Sequence, residues 1–165
     1  MSAPVLAIEG LKLSIGGATV VDGLSLDVGA GEIVALVGES GCGKSLSALA
    51  VLRLLPDAVR LAGGRILLEG RALAALPPAA MAKVRGRDAS IIFQEPTASL
   101  DPLMTVGDQI IEALTAHQPT SRPEALAKAR EMLVSIGIAD ADRRLTQYPF
   151  ELSGGMCQRV MIALA

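Results

Sequence analysis

Eight consecutive residues carry the clearest chemical signal in the sequence. Residues 38–45 follow the pattern G-x-x-x-x-G-K-[ST], which is typical of loops that hold the phosphates of a nucleotide. The loop consists of Gly38, Glu39, Ser40, Gly41, Cys42, Gly43, Lys44 and Ser45. Its three glycines allow backbone N–H groups to approach phosphate oxygens closely. The Lys44 ammonium is the expected partner of the β- and γ-phosphates, and the Ser45 hydroxyl is the expected ligand of Mg²⁺.

The residues on either side of this loop predict the strand and the helix that it requires. Residues 33–37 are short, apolar and rich in β-branched side chains, which favours a buried strand. Residues 46–52 contain helix formers without a breaker, and the positive end of that helix would face the same anion. The alternative is a glycine-rich turn beside an ordinary surface lysine. Cys42 fills a position at which the pattern requires no particular residue.

Composition limits the classes of protein to which the chain can belong. The 165 residues are 51% hydrophobic and 19% charged, which predicts a globular domain with its own core. A net charge of −2 and an aromatic content of 2% argue against a nucleic-acid partner. The sequence predicts neither a membrane-spanning helix nor a signal peptide. The two cysteines, Cys42 and Cys157, match no disulfide or metal spacing, which favours reduced thiols in the cytoplasm.

Hydrophobic periodicity predicts a β-rich start, an α/β core and a helical end. Strands are predicted over residues 5–15, 19–28, 33–37, 65–70 and 89–93. Helices are predicted over residues 46–52, 77–84, 106–114, 122–136 and 153–165. Ser121 and Glu124 form a capping-box pattern at the start of the fourth helix, and Gly137 ends it. Residues 140–150 are predicted to form a polar loop, and His117 is predicted to be an exposed loop residue.

A second candidate anion site lies near the end of the sequence, at residues 152–156. Ser153 precedes Gly154 and Gly155 at the start of a predicted helix. The serine hydroxyl and the unpaired helical N–H groups are suited to receive phosphate oxygens. The alternative is an ordinary helix N-cap followed by two flexible glycines.

These motifs together resemble those of the ATP-binding-cassette (ABC) family. The resemblance rests on the loop at 38–45, on Gln94 after a predicted strand, and on the Leu-Ser-Gly-Gly run that contains Ser153, Gly154 and Gly155. It implies that this run contacts the γ-phosphate of ATP held by the loop of a partner subunit, so that two cassettes enclose two nucleotides. It also implies that Gln94 contacts Mg²⁺ and the attacking water. The alternative for Gln94 is an ordinary polar loop residue.

The resemblance implies an α/β fold, a P-loop NTPase core with an N-terminal antiparallel β subdomain and a helical subdomain. The expected divisions are a β-rich subdomain at 1–32, a core at 33–96 and a helical subdomain at 97–165. Lys44 and Gln94 are the expected catalytic residues of an ATP hydrolase. ATP and Mg²⁺ are the expected cofactors, with Ser45 and Gln94 as metal ligands.

Two longer stretches narrow the resemblance to one branch of the family. Residues 91–110 and 148–163 are similar to the peptide/nickel importer branch. This implies a bacterial motor subunit on the cytoplasmic face of the inner membrane. Its expected partners are a second cassette, identical or paralogous, the transmembrane permease subunits and, indirectly, a periplasmic binding protein. The cargo would be peptides, nickel, glutathione or opines. The alternatives are a soluble cassette ATPase outside transport and a nucleotide-binding chain without turnover.

The sequence departs from the family pattern at two places. Ile15 occupies the position near which the family carries an aromatic residue that stacks on adenine. The family's later apolar strand ending in Asp-Glu and its switch histidine have no counterpart, and Glu95 is a poor candidate for the general base because Pro96 fixes it in a loop. The expectation is a C-terminally truncated ATPase whose 165 residues do not sustain hydrolysis alone.

Overall fold

The computed structural model describes residues 3–165 in two compact units. The first unit ends at Arg85 and is built on a β-sheet, whereas the second comprises Gly86–Ala165 and is helical.

An antiparallel sheet of four strands forms most of the first unit. The strands are β1 (Leu6–Ile15), β2 (Ala18–Val28), β3 (Val59–Leu68) and β4 (Arg71–Ala72), in the order β2-β1-β3-β4. The turn between β1 and β2 lies at Gly16 and Gly17, as predicted, and both residues have positive φ angles of 56° and 88°. The strand predicted at 65–70 begins earlier and includes Gly64, whose backbone lies against Gly10 and Leu11 of β1.

Among residues 3–85, two helices complete the first unit, α1 (Lys44–Val51) and α2 (Pro78–Val84), with a 3₁₀ turn at Leu73–Ala75. The Arg85 guanidinium donates from Nε to Leu52 O at 2.8 Å and from one terminal nitrogen to Arg53 O at 3.0 Å. These bonds satisfy carbonyls that the end of α1 would otherwise leave unpaired. The helix that follows the glycine loop is therefore anchored at its far end.

The buried strand predicted at residues 33–37 is wrong for this structure. In the described part of the chain these residues pair with no strand, and Ile33 and Val37 are 97% and 85% exposed. Residues 90–93, predicted as part of another strand, also have no regular structure. An apolar, β-branched sequence favours an extended backbone, but a strand also needs neighbours to receive its hydrogen bonds, and residues 3–165 provide none here.

The second unit contains five helices among its described residues. They are α3 (Pro96–Ser99), α4 (Val106–His117), α5 (Arg122–Ser135), α6 (Ala141–Leu145) and α7 (Gly154–Leu164). Their apolar faces meet in one core, whose fully buried members include Val106, Ile110, Leu133 and Val160. The capping box at the start of α5 is confirmed, because Glu124 Oε2 accepts from Ser121 N at 3.1 Å.

Two further predictions in this unit are wrong. The polar loop predicted at 140–150 contains α6 and a 3₁₀ turn at Pro149–Glu151, because Ala141 and Leu145 are buried in the core. His117 is the half-buried last residue of α4 and packs against Gly86. None of the helices within residues 3–165 has the length and apolar character needed to cross a membrane.

Candidate nucleotide-binding site

The glycine loop of the first unit depends on glycine at two positions. Gly41 and Gly43 have φ angles of 82° and 92°, a region that other residues rarely adopt. A Cβ atom at Gly43 would lie 2.5 Å from Val21 Cγ2 and 3.0 Å from Val20 O. The loop therefore packs tightly against β2 just before α1 begins.

The start of α1 leaves several N–H groups available to an anion. Gly43 is the N-cap, and within residues 3–165 no side chain caps this helix. Ser47 N bonds Gly43 O at 2.8 Å, so the amides that precede Ser47 in the helix have no acceptor within it. The first turn, residues 44–47, contains no Asp or Glu. A helix N-terminus with these properties attracts negative charge.

Lys44 adds a positive charge to the same place. Its Nζ donates to Gly38 O at 2.7 Å and to Glu39 O, and it lies 3.4 Å from Cys42 Sγ. The ammonium is therefore folded back over the loop, and the Lys44 residue is half-buried. Ser45, the next residue, is exposed in the first turn of α1.

A cavity of about 290 Å³ adjoins the loop. Its lining includes Val20, Val21, Leu24, Leu36, Cys42 and Lys44. The sequence did not predict that β2 lines the site. No local motif could have indicated it, because the β2 residues Val20, Val21 and Leu24 are brought to the loop only by the folding of the sheet. Ile15, at the end of β1, is 39% exposed.

The residues of the loop suit a triphosphate with Mg²⁺. One ammonium, unpaired amides and an exposed hydroxyl form a donor set that matches phosphate oxygens and leaves Ser45 Oγ to a cation. Within the described chain, no group of three or more His, Cys, Asp or Glu side chains is placed to hold a metal ion. A Mg²⁺ ion here would take most of its ligands from phosphate oxygens and water.

The serine turn of the second unit is a helix N-cap, as predicted. Ser153 Oγ accepts from Met156 N at 3.3 Å, and α7 follows directly. A Cβ atom at Gly154 or Gly155 would meet no atom within 4 Å, so both glycines face open space. Cys157, one turn into the helix, is buried, and burial raises the pKa of its thiol.

Gln94 lies in the same unit as the serine turn. Its side chain is exposed, and α3 begins two residues later. Ser99 Oγ donates to Glu95 O at 2.8 Å, which closes the short α3 turn, and α3 packs against α7. The structure thus gathers residues 38–45 in one unit, and it places Gln94 and the serine turn in the other.

Comparisons with known proteins show which family the chain resembles. Residues 21–165 match the family model described as "ABC transporter". A protein of Sinorhizobium fredii named "Probable peptide ABC transporter ATP-binding protein" is 51% identical over 144 residues, covering 87% of this chain and 43% of that relative. The dipeptide transport ATP-binding protein DppD of Bacillus subtilis is 43% identical over 166 residues, covering 98% of this chain and 50% of the relative. The chain thus spans about half the length of these relatives.

A solved structure described as the ATP-binding subunit of an ABC transporter has a similar fold. Its TM-score is 0.76 at 26% identity, covering 98% of this chain and 61% of that one. The predicted fold class, a P-loop NTPase with an antiparallel β subdomain and a helical subdomain, is confirmed. Because the family model covers most of the chain and both relatives are transport ATP-binding proteins, the chain belongs to the ABC transporter family.

Proposed function

We propose that this chain is the ATP-binding part of a motor subunit in a bacterial ABC importer. The motor would couple ATP binding and hydrolysis to the uptake of peptides, the cargo class in the names of the relatives from S. fredii and B. subtilis. Nickel, glutathione and opines are the other cargoes of the branch that the sequence resembles. The observation that carries the proposal is the loop at 38–45, whose ammonium, unpaired amides and hydroxyl are suited to hold a triphosphate.

Each residue of the proposed site has a distinct part. The backbone of Gly38, Glu39, Ser40, Gly41, Cys42 and Gly43 surrounds the phosphates. Lys44 would exchange its carbonyl partners for the β- and γ-phosphates, and Ser45 Oγ and Gln94 are the residues that, by resemblance to the family, would hold Mg²⁺. Bound Mg²⁺ supplies positive charge that offsets the charge developing on the phosphates. Gln94 would also orient the attacking water, so Lys44 and Gln94 are the catalytic residues that the proposal assigns within this chain.

Assembly completes the proposal. Ser153, Gly154 and Gly155 of one cassette would contact the γ-phosphate held by the loop of another, identical or paralogous, so that ATP binding closes the pair. The pair would sit against transmembrane permease subunits on the cytoplasmic face of the inner membrane, supplied by a periplasmic binding protein. Residues 1–165 alone are expected to bind ATP without sustained turnover, which a steady-state phosphate-release assay measures.

Titration with a fluorescent ATP analogue tests the central step. Lys44→Ala removes the ammonium that bridges the loop and the phosphates, so we expect binding to fall by at least a hundredfold, equivalent to about 2.7 kcal/mol. Lys83→Ala is the matched control, because it removes one exposed lysine from the same unit, at the end of α2. If Lys44→Ala retains the wild-type affinity, the loop is not the phosphate site and the proposed function is wrong.

A further inference from the structure

Two aromatic rings form an exposed stack just before the serine turn. The Tyr148 and Phe150 ring centroids lie 5.5 Å apart, and the ring planes differ by 7°. Phe150 is 74% exposed and Tyr148 is 37% exposed. The chain contains one tyrosine, two phenylalanines and no tryptophan, so two of its three aromatic side chains build this surface. A ring of this size is more often buried, and its exposure calls for a partner.

The backbone beneath the two rings is fixed. Tyr148 N donates to Glu151 Oε2 at 2.8 Å, and Glu151 N donates to Tyr148 O at 3.0 Å. Pro149, between the two aromatic residues, is buried, and its carbonyl accepts from Leu152 N at 3.1 Å. The two rings therefore project from a 3₁₀ turn whose Pro149 is buried in the helical unit. Phe150 is held at the surface in a defined place, with its outer face available to a flat ligand.

The first unit lacks any aromatic residue of its own. Phe93, Tyr148 and Phe150, which are all the aromatic residues of the chain, lie beyond Arg85. Ile15, at the position where a stacking residue is expected, is only 39% exposed and has no π face. A base whose phosphates rest on the loop at 38–45 therefore finds no stacking partner in the unit that holds them.

We propose that Phe150, supported by Tyr148, stacks on the base of a nucleotide held by the 38–45 loop of a second copy of this chain. The inference rests on the proposed function, in which Ser153 contacts the phosphates of that nucleotide. Phe150 and Ser153 are three residues apart, at most about 10 Å, a separation on the scale of a nucleoside triphosphate. One short segment would thus contact both ends of the ligand, and base stacking would accompany pairing of the two copies.

Nucleotide-dependent self-association measures this directly. Sedimentation velocity of the full chain is compared in ATP and in inorganic tripolyphosphate, both with Mg²⁺. Tripolyphosphate offers the phosphate contacts without a base, so wild-type pairing should be roughly tenfold tighter in ATP, the size expected for one aromatic stack. Phe150→Ala should reduce the affinity of pairing in ATP to that of wild type in tripolyphosphate. It should not change the affinity of pairing in tripolyphosphate. Leu103→Ala, which truncates another exposed apolar side chain of the same unit, is the control and should change neither.

The outcomes separate the inference from the function on which it depends. If Phe150→Ala pairs as tightly as wild type in ATP, or weakens pairing equally in ATP and tripolyphosphate, base stacking is overturned and ATP-driven pairing stands. If the wild-type chain pairs in neither ligand, stacking between two copies of this chain is overturned, whereas the proposed function is decided by the ATP titration of wild type and Lys44→Ala. Phe150→Trp supplies a second readout because the chain has no tryptophan. ATP should quench the tryptophan fluorescence of Phe150→Trp, whereas tripolyphosphate should not. ATP should also fail to quench it when Phe150→Trp is combined with Lys44→Ala. Equal quenching in all three cases would overturn the stack.

Discussion

The two candidate anion sites, at the starts of α1 and α7, are built in opposite ways. The N-cap of α1 is Gly43, whose backbone is in the left-handed region, and within residues 3–165 no side chain caps this helix. Lys44 lies in its first turn. Helix α7 begins at Ser153, whose own hydroxyl accepts from Met156 N at 3.3 Å. The first helix start leaves its amides to an external acceptor, whereas at the second the serine hydroxyl already accepts from one of them, Met156 N.

This difference predicts an order of events. An anion at α1 gains unpaired amides and the Lys44 ammonium, although Lys44 must exchange its bonds to the carbonyls of Gly38 and Glu39. An anion that takes Met156 N at α7 must compete with the Ser153 hydroxyl, and the first turn of α7 contains no lysine or arginine. The serine turn should therefore bind phosphate only when the loop of another molecule presents it, which is the basis of the proposed pairing.

The largest effect is expected from Gly43→Ala. The substitution forces a Cβ atom into a left-handed backbone and to within 2.5 Å of Val21 Cγ2, so we expect about 3 kcal/mol loss of unfolding free energy. Urea unfolding followed by far-UV circular dichroism measures it. Gly41→Ala is the matched control, because its φ is 82° but a Cβ atom there meets nothing within 4 Å. Equal losses in the two variants would mean that Gly43 does not pack on β2 as described.

Ser153→Arg should separate binding from pairing. The long side chain fills the space at the serine turn that a phosphate would occupy, so ATP-driven pairing should fall more than tenfold. Binding of a fluorescent ATP analogue to the monomer should not change, because the loop lies in the other unit. Ser153→Ala is the control for stability, since both variants lose the cap, a cost of about 1 kcal/mol. Undiminished pairing of Ser153→Arg in sedimentation would exclude the serine turn from the interface.

The local motifs were the part of the molecule that sequence could predict. The capping box at Ser121, the N-cap at Ser153 and the turn at Gly16 and Gly17 each depend on hydrogen bonds or backbone angles within a few residues. These interactions are specified by the residues themselves, so the short pattern is sufficient. The glycine loop belongs to the same class, because its conformation needs glycine at defined positions.

The errors arose where distant residues decide the outcome. Residues 33–37 have the composition of a buried strand, but no strand within residues 3–165 pairs with them, and Ile33 is 97% exposed. Residues 141–145 are largely polar in sequence and fold as a helix because Ala141 and Leu145 meet the core. The contact between Gly43 and Val21 could not be inferred either, since it joins residues on different elements that only the sheet brings together.

Acid should weaken the helical unit through Asp108. Hydrogen bonds from Thr105 and from Arg122, whose nitrogen lies 2.7 Å from Asp108 Oδ1, lower the pKa of this carboxyl below its ordinary value near 3.8. Because the folded-state pKa is the lower one, the ionised form stabilises the fold above about pH 4, and this contribution disappears as the pH falls through the folded-state pKa. Asp108→Asn should cost at most about 1 kcal/mol at pH 7, since the pair is exposed to solvent.

The check on Asp108 is urea unfolding at pH 7, pH 5, pH 4 and pH 2.5. Between pH 4 and pH 2.5 the unfolding free energy of the wild-type chain should fall more than that of Asp108→Asn. Between pH 5 and pH 7 the difference in unfolding free energy between the two proteins should stay constant. Parallel curves over the whole range would show that the Thr105 and Arg122 bonds do not form in solution.

The smallest effect, and the one of opposite sign, is expected from Gly155→Ala. This glycine lies inside α7 without a positive φ, and a Cβ atom added there would meet no atom within 4 Å, so alanine should raise the unfolding free energy by about 0.5 kcal/mol. Gly43→Ala should instead lower the unfolding free energy, by several times that amount. Thermal unfolding of the two variants beside wild type gives both signs in one experiment. A destabilised Gly155→Ala would show that the backbone requires glycine at both helix starts, and the contrast between an open site and a self-capped one would then be lost.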